Sequence, residues 1–185
     1  MPQTKINLGC GHIKLPGYLN VDFSQQINPD MVADLSVRPW PFPDNSADEI
    51  RMDGSLEHLR DTCENLNEVH RILKPGGIFR GCVPYAKSDG AFLSIEHKSF
   101  YTEKSFDYVC SQEAYPSFEG AKFEKISVRL TSSSYRWKNK TRNLIPIFIR
   151  HILKWFLWNM FDEVEFVLRK PAAKVTGSSA LKESP

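Results

Sequence analysis

Cysteine is scarce in this chain, and its four residues are scattered. Cys10, Cys63, Cys82 and Cys110 include no Cys-x-x-Cys pair, which excludes a zinc knuckle and leaves no disulfide framework to read. Reduced cytosolic thiols are expected. An excess of one charge is missing as well: the formal net charge is +2, too small to attract nucleic acid by bulk electrostatics. No uninterrupted apolar run reaches the roughly 18 to 20 residues that a spanning helix needs, and the opening MPQTKINLGC lacks the apolar core of a signal peptide. A soluble, cytoplasmic body is expected. No internal repeat is visible. What is present is 185 residues, 41% of them hydrophobic, enough for one domain with a real core and too few for two.

Short apolar runs alternate with longer helical or loop stretches, the pattern of an α/β fold. Residues 6–8, 18–21, 31–33 and 49–52 read as brief strands, each followed by a turn or an acidic residue. Over residues 56–73 the period changes: Leu56, Leu59, Cys63, Leu66, Val69 and Leu73 fall three or four apart, as one face of a helix does. KPGG at 74–77 stops that helix and reverses the chain into a buried strand over 78–83, parallel to the strand at 49–52. Further on, residues 102–114 read as a helix capped by Thr102, and residues 122–130 and 163–169 alternate like strands that close the sheet. The polar tail, residues 171–185, is expected to be disordered.

The chemistry concentrates near the start. Gly9-Cys10-Gly11 ends the first strand, and Asp22 ends the second only eleven residues after Gly11. A glycine turn at a strand's carboxyl end lets a ligand approach the backbone, and an acidic strand end can accept hydrogen bonds from ribose hydroxyls. Together they describe a site for an adenosine-containing cofactor. A nicotinamide dinucleotide wants Gly-x-Gly-x-x-Gly opening a long helix; here the third position is Lys14, and Pro16 and Gly17 leave almost no room for that helix.

INLGCG, NVD, ADL, PFPDNSADEI, LEHL and RILKPGGIF, in that order over residues 6–83, resemble the successive motifs of the class I S-adenosylmethionine-dependent methyltransferases, the small type-11-like group in particular. The likeness continues less sharply through EHKSFYTEKSF. It implies a Rossmann-like three-layer sandwich with a seven-stranded sheet in the order 3-2-1-4-5-7-6, the last strand antiparallel, and here with the first helix shortened or missing. It implies a methyltransferase domain over residues 1–170, with residues 131–161 as a lid or interface insertion, and S-adenosylmethionine as cofactor. Carried over position by position, Gly9, Cys10 and Gly11 would lie against the methionine part of the cofactor, Asp22 would hold the ribose, and Asp34 and Leu35 would hold the adenine. Asp53 would lie where sulfonium and acceptor meet. Asn7 stands where the family usually has an acid, Ile13 where it has a third glycine. With the first helix missing, the cofactor carboxylate needs another partner, for which His12 and Lys14 are candidates.

The activity so implied is methyl transfer to a small-molecule or glycan acceptor, a hydroxyl being the expected nucleophile. An RNA methyltransferase and a non-catalytic cofactor-binding module are the alternatives. For a base, His97 in the loop-rich segment 88–100 stands first, with Asp53, His58 and Glu57 behind it. In some ubiquinone-pathway and small-RNA methyltransferases a Glu-x-x-Glu-His helix start plus a later histidine binds a divalent ion. This chain has Gly54 in the first position, and adjacent Glu57 and His58 point apart on a helix, so no metal is expected. The basic segment 132–143 precedes an apolar one, 144–161, broken by Arg150, His151 and Lys154. The latter reads as a helix packed across the sheet, an acceptor-site lid, a homodimer surface, or an interfacial helix on a membrane.

Overall fold

The computed structural model describes residues 3–111, 120–132 and 144–172. In chain order its elements are β1 (Lys5–Leu8), β2 (Leu19–Asp22), β3 (Met31–Val32), β4 (Ala47–Asp53), α1 (Thr62–Ile72), β5 (Leu73–Pro84), α2 (Asp89–Leu93), α3 (Asp107–Cys110), β6 (Glu124–Thr131), α4 (Ile147–Leu153) and β7 (Glu163–Arg169). Seven strands form one sheet in the order β3-β2-β1-β4-β5-β7-β6. The pairs from β3 to β5 are parallel, and β7 runs antiparallel to both β5 and β6. This is the order and the reversed last strand that the motifs imply.

Strand alternation divides the sheet's side chains between two faces. Ile6 and Leu8, Ile50 and Met52, Phe79 and Val83, and Val164, Phe166 and Leu168 are all buried on one face. Leu66, Val69 and Ile72 of α1 and Val109 of α3 join them in a single core cluster. Burying each such side chain contributes roughly 1.5–3 kcal/mol, so this face carries most of the fold's stability. The opposite face over β4, β5 and β7 bears Glu49, Arg51, Asp53, Arg80 and Glu165, half exposed and paired as Arg51–Asp53 (2.6 Å) and Arg80–Glu49 (3.0 Å). Parallel sheets are ordinarily covered on both faces. Here the connection between β1 and β2 is too short for a helix, and the β1 and β2 end of that face is covered by the loop itself: buried Asn7 donates to the Ile13 carbonyl and to Asn20 Oδ1.

Several boundaries differ from the sequence reading. The helix expected over 56–73 is interrupted: Leu56–His58 form a 3-10 turn, Asp61 adopts φ 55°, and α1 begins only at Thr62. The KPGG reversal at 74–77 lies inside β5, where Gly76 has φ +82° and the pairing with β4 shifts register between Ala47 and Glu49. The expected helix over 102–114 contracts to α3 at its described end, with residues 112–119 outside the described set. The basic segment at 133–143 and residues 173–185 of the tail also lie outside it.

Candidate active site

The strand order reverses between β1 and β4, since β1's connection leads to β2 on one side while β4 and β5 extend the sheet on the other. In open α/β sheets such a switch point opens a crevice beyond the carboxyl ends of the strands. Gly9, Cys10 and Gly11 leave β1 into that crevice. Gly9 has φ +66° and Gly11 φ +51°, conformations that side chains disfavour. A Cβ on Gly9 would stand 2.5 Å from Ser55 Cβ, and Ser55 Oγ donates to the Leu8 carbonyl at 3.2 Å. The turn after β1 and the turn after β4 are therefore in direct contact, and only glycine fits between them. Ser55 was not singled out from sequence, where nothing marks it.

Asp22 closes the turn from the next strand. It is buried, its Oδ2 accepts from the Gly11 amide at 2.9 Å, and its Oδ1 accepts from the Ser24 amide at 3.0 Å. An ionised carboxylate has about four acceptor positions, so each oxygen retains capacity for a ribose hydroxyl. A Cβ on Gly11 would meet nothing within 4 Å, which leaves the backbone there open to a ligand. Asp34 follows β3, exposed, with Oδ1 accepting from the Ser36 amide at 2.8 Å. The Ser36 hydrogen bonds hold its carboxyl below the ordinary range. Leu35 is buried beside it, and its carbonyl accepts from Trp40 Nε1 at 2.9 Å. Of the two proposed partners for a cofactor carboxylate, Lys14 already donates from Nζ to the Asn28 carbonyl, and His12 is exposed.

The acceptor-side candidates divide. Asp53 ends β4 on the charged face, pairs with Arg51, and borders an open hollow of about 470 Å³ with Arg80, Cys82 and Arg129. His97 belongs instead with Glu57 and His58. The rings of His58 and His97 meet edge to face with centroids 4.6 Å apart. His97 Nδ1 lies 2.7 Å from the Ala91 carbonyl, so Nδ1 carries the proton and Nε2 the lone pair. Glu57 is 2% exposed, and its Oε2 has no hydrogen-bond partner. Burial pushes its carboxyl up to about 7, and Glu163 adds to the rise. Burial, followed by the nearby His97, lowers His58 below the ordinary histidine value. The expectation that Glu57 and His58 diverge rested on a regular helix; the 3-10 turn removes that premise.

The sheet order, with its crevice between β1 and β4 and an acid ending β2, defines a class I methyltransferase fold. Residues 19–80 match the family model described as a methyltransferase domain. The chain is 35% identical over 96 residues to a dimethylglycine N-methyltransferase of Parasynechococcus marenigrum, an alignment covering 51% of this chain and 33% of the relative. It is 36% identical over 53 residues to a demethylmenaquinone methyltransferase of Symbiobacterium thermophilum, covering 29% and 21%. The chain thus spans a third or less of the curated relatives it matches. Among solved structures, an S-adenosylmethionine-dependent methyltransferase from Archaeoglobus fulgidus superposes with a TM-score of 0.61 at 12% identity, over 91% of this chain and 86% of that one, a likeness of fold. These findings support S-adenosylmethionine as the cofactor. No described helix is long and apolar enough to cross a membrane.

Proposed function

We propose that the chain transfers a methyl group from S-adenosylmethionine to a hydroxyl of a small-molecule or glycan acceptor. The observation that carries this reading is the closure of the Gly9–Gly11 turn on buried Asp22 at the switch point. Gly9, Cys10 and Gly11 would present backbone to the methionine part, Asp22 would accept from the ribose hydroxyls, and Asp34 with Leu35 would hold the adenine. Bound there, the cofactor supplies an activated methyl on a sulfonium, so the protein's task is alignment and proton removal. His97 Nε2, its lone pair fixed by the Nδ1 contact to Ala91, is suited to take the acceptor's proton. Asp53, restrained by Arg51 on the charged face of the sheet, is a second acidic group at the end of β4.

The two curated relatives are named for different acceptors, dimethylglycine and demethylmenaquinone, so the acceptor class rests on this chain's own loop. Leu144, Phe148, Trp155 and Phe156 of the segment around α4 are exposed. That apolar segment is suited to contact with a membrane surface or a second copy, and vesicle flotation set against gel filtration separates the two. The methyl-transfer reading is tested by calorimetry with S-adenosylmethionine, followed by turnover of labelled cofactor on a panel of hydroxyl, amine and RNA acceptors. Saturable binding with label transferred to a hydroxyl supports it. Binding without transfer to any acceptor leaves a non-catalytic cofactor-binding module, and absence of binding removes the reading altogether.

A further inference from the structure

Glu57, His58 and His97 each present one ligand-capable atom within 4.8 Å of the others, the one such group among the described residues. Three further features distinguish this cluster from a chance meeting of polar side chains. Glu57 Oε2 is buried without a partner, so the loss of its hydration is uncompensated unless something fills the position. His97 donates from Nδ1 to a backbone carbonyl, the outer contact that orients an imidazole and leaves Nε2 as the donor toward an ion. The loop bearing His97 is also tied to the turn bearing the other two: the Glu57 carbonyl accepts from the amides of Lys98 (2.8 Å) and Ser99 (3.3 Å). Nearby Glu96 and Lys98 oppose each other electrostatically at His58.

We propose that Glu57, His58 and His97 bind one divalent transition-metal ion, of the zinc class, at the acceptor side of the crevice. Two imidazoles and a carboxylate match the donor set of open zinc sites, which keep positions for a non-protein ligand. Tetrahedral donors with bonds near 2.1 Å lie about 3.4 Å apart, so the cluster closes on an ion with side-chain shifts of about an ångström. The ion's role rests on the methyl-transfer reading; its binding does not. An acceptor hydroxyl coordinated through oxygen loses its proton to solvent water more readily, because the ion stabilises the alkoxide. The alkoxide oxygen then forms a bond to the methyl carbon as the sulfonium carbon–sulfur bond breaks and its electron pair stays on sulfur. In the loaded protein His97 serves as a ligand, and the ion's lowering of the hydroxyl's pKa takes the place of proton removal by the imidazole.

The test uses the full chain, stripped with chelator and titrated with Zn²⁺ or Co²⁺ under equilibrium dialysis, with the visible spectrum of the cobalt form as a second readout. Expected are one equivalent per chain, a histidine-ligated cobalt band, and affinity at least about 30-fold weaker in His97→Gln and His58→Ala and at least about tenfold weaker in Glu57→Gln. Circular dichroism melts identify any variant that fails to fold, and His97→Gln, altered in a half-exposed loop, carries the decision in that event. No ion retained by the parent chain, or equal retention in the His58→Ala/His97→Gln double variant, overturns the proposal. A thermal shift with S-adenosylmethionine is run on the same samples. If that shift persists while ion binding fails, only the metal site falls; if it is absent from the parent chain, the methyl-transfer reading falls separately.

Discussion

On one side of the crevice Gly11 and Asp22, eleven residues apart, meet through a backbone amide and a buried carboxylate; on the other, Glu57, His58 and His97 meet through side chains brought together across about forty positions. The first side depends on strand ends and glycine dihedrals and leaves little conformational choice. The second depends on a 3-10 turn, a five-residue helix and a loop held by two backbone hydrogen bonds. A site divided in this way should fail differently when each side is cut, cofactor binding failing with the first and transfer with the second.

The largest effect is expected at Asp22. Asp22→Ala removes the acceptor of two amides and of the proposed ribose contacts, and hydrogen bonds to a charged group contribute about 1.5–3 kcal/mol each. S-adenosylmethionine affinity should fall about 100-fold or more by calorimetry. Affinity within threefold of the parent would break the contrast at its strongest point.

Next comes Gly9→Ala, where the turns after β1 and β4 touch. Steric overlap with Ser55 and the φ of +66° both oppose the new methyl, and a loss of about 2–3 kcal/mol in stability is expected. Pairing it with Ser55→Gly sharpens the comparison: the clash should be relieved while about 1 kcal/mol of backbone cost remains. If the double variant melts no higher than Gly9→Ala alone, the contact does not decide the turn.

How much of this was legible in the sequence follows the same division. Gly9, Gly11 and Asp22 could be read because their chemistry is local: a strand end, a dihedral requirement, and an acid one short connection away. The seven-strand order followed from the ordered motifs, and β7 was bounded correctly by its alternation, Val164, Phe166 and Leu168 inward and Glu163, Glu165 and Val167 outward. The Glu57–His58–His97 meeting is open to a metal reading but set aside on helix geometry, because a helical period over 56–73 hides the break at Asp61, whose left-handed φ no propensity announces. Ser55 was illegible for a related reason: its importance is that it occupies the space a Cβ at Gly9 would need.

The transfer side is probed by His97→Ala. Loss of a positioned base, or of a metal ligand, typically costs about 10²–10⁴ in rate, with S-adenosylmethionine affinity unchanged because His97 lies outside the Gly9–Asp22–Asp34 set. Single-turnover transfer measured beside calorimetry checks this. An equal loss of cofactor affinity would show that the two sides are one structural unit.

The smallest effect is expected from pH on the cofactor side. Asp34's carboxyl is held below its ordinary value by Ser36, and a depressed carboxyl pKa means that the ionised form persists as acid is added. Its proposed contribution to adenine binding is therefore fully present at and above the ordinary carboxylate range and is lost only as pH falls through the depressed value. S-adenosylmethionine affinity should stay level from pH 8 to about 5 in the parent chain. Ser36→Pro removes the amide and the hydroxyl together and lets the Asp34 value rise, so the affinity of that variant should begin to decline at higher pH, within about threefold overall because the group is exposed and solvent screens it. A parent profile that slopes between pH 8 and 5 would mean that a group other than Asp34 titrates against the cofactor.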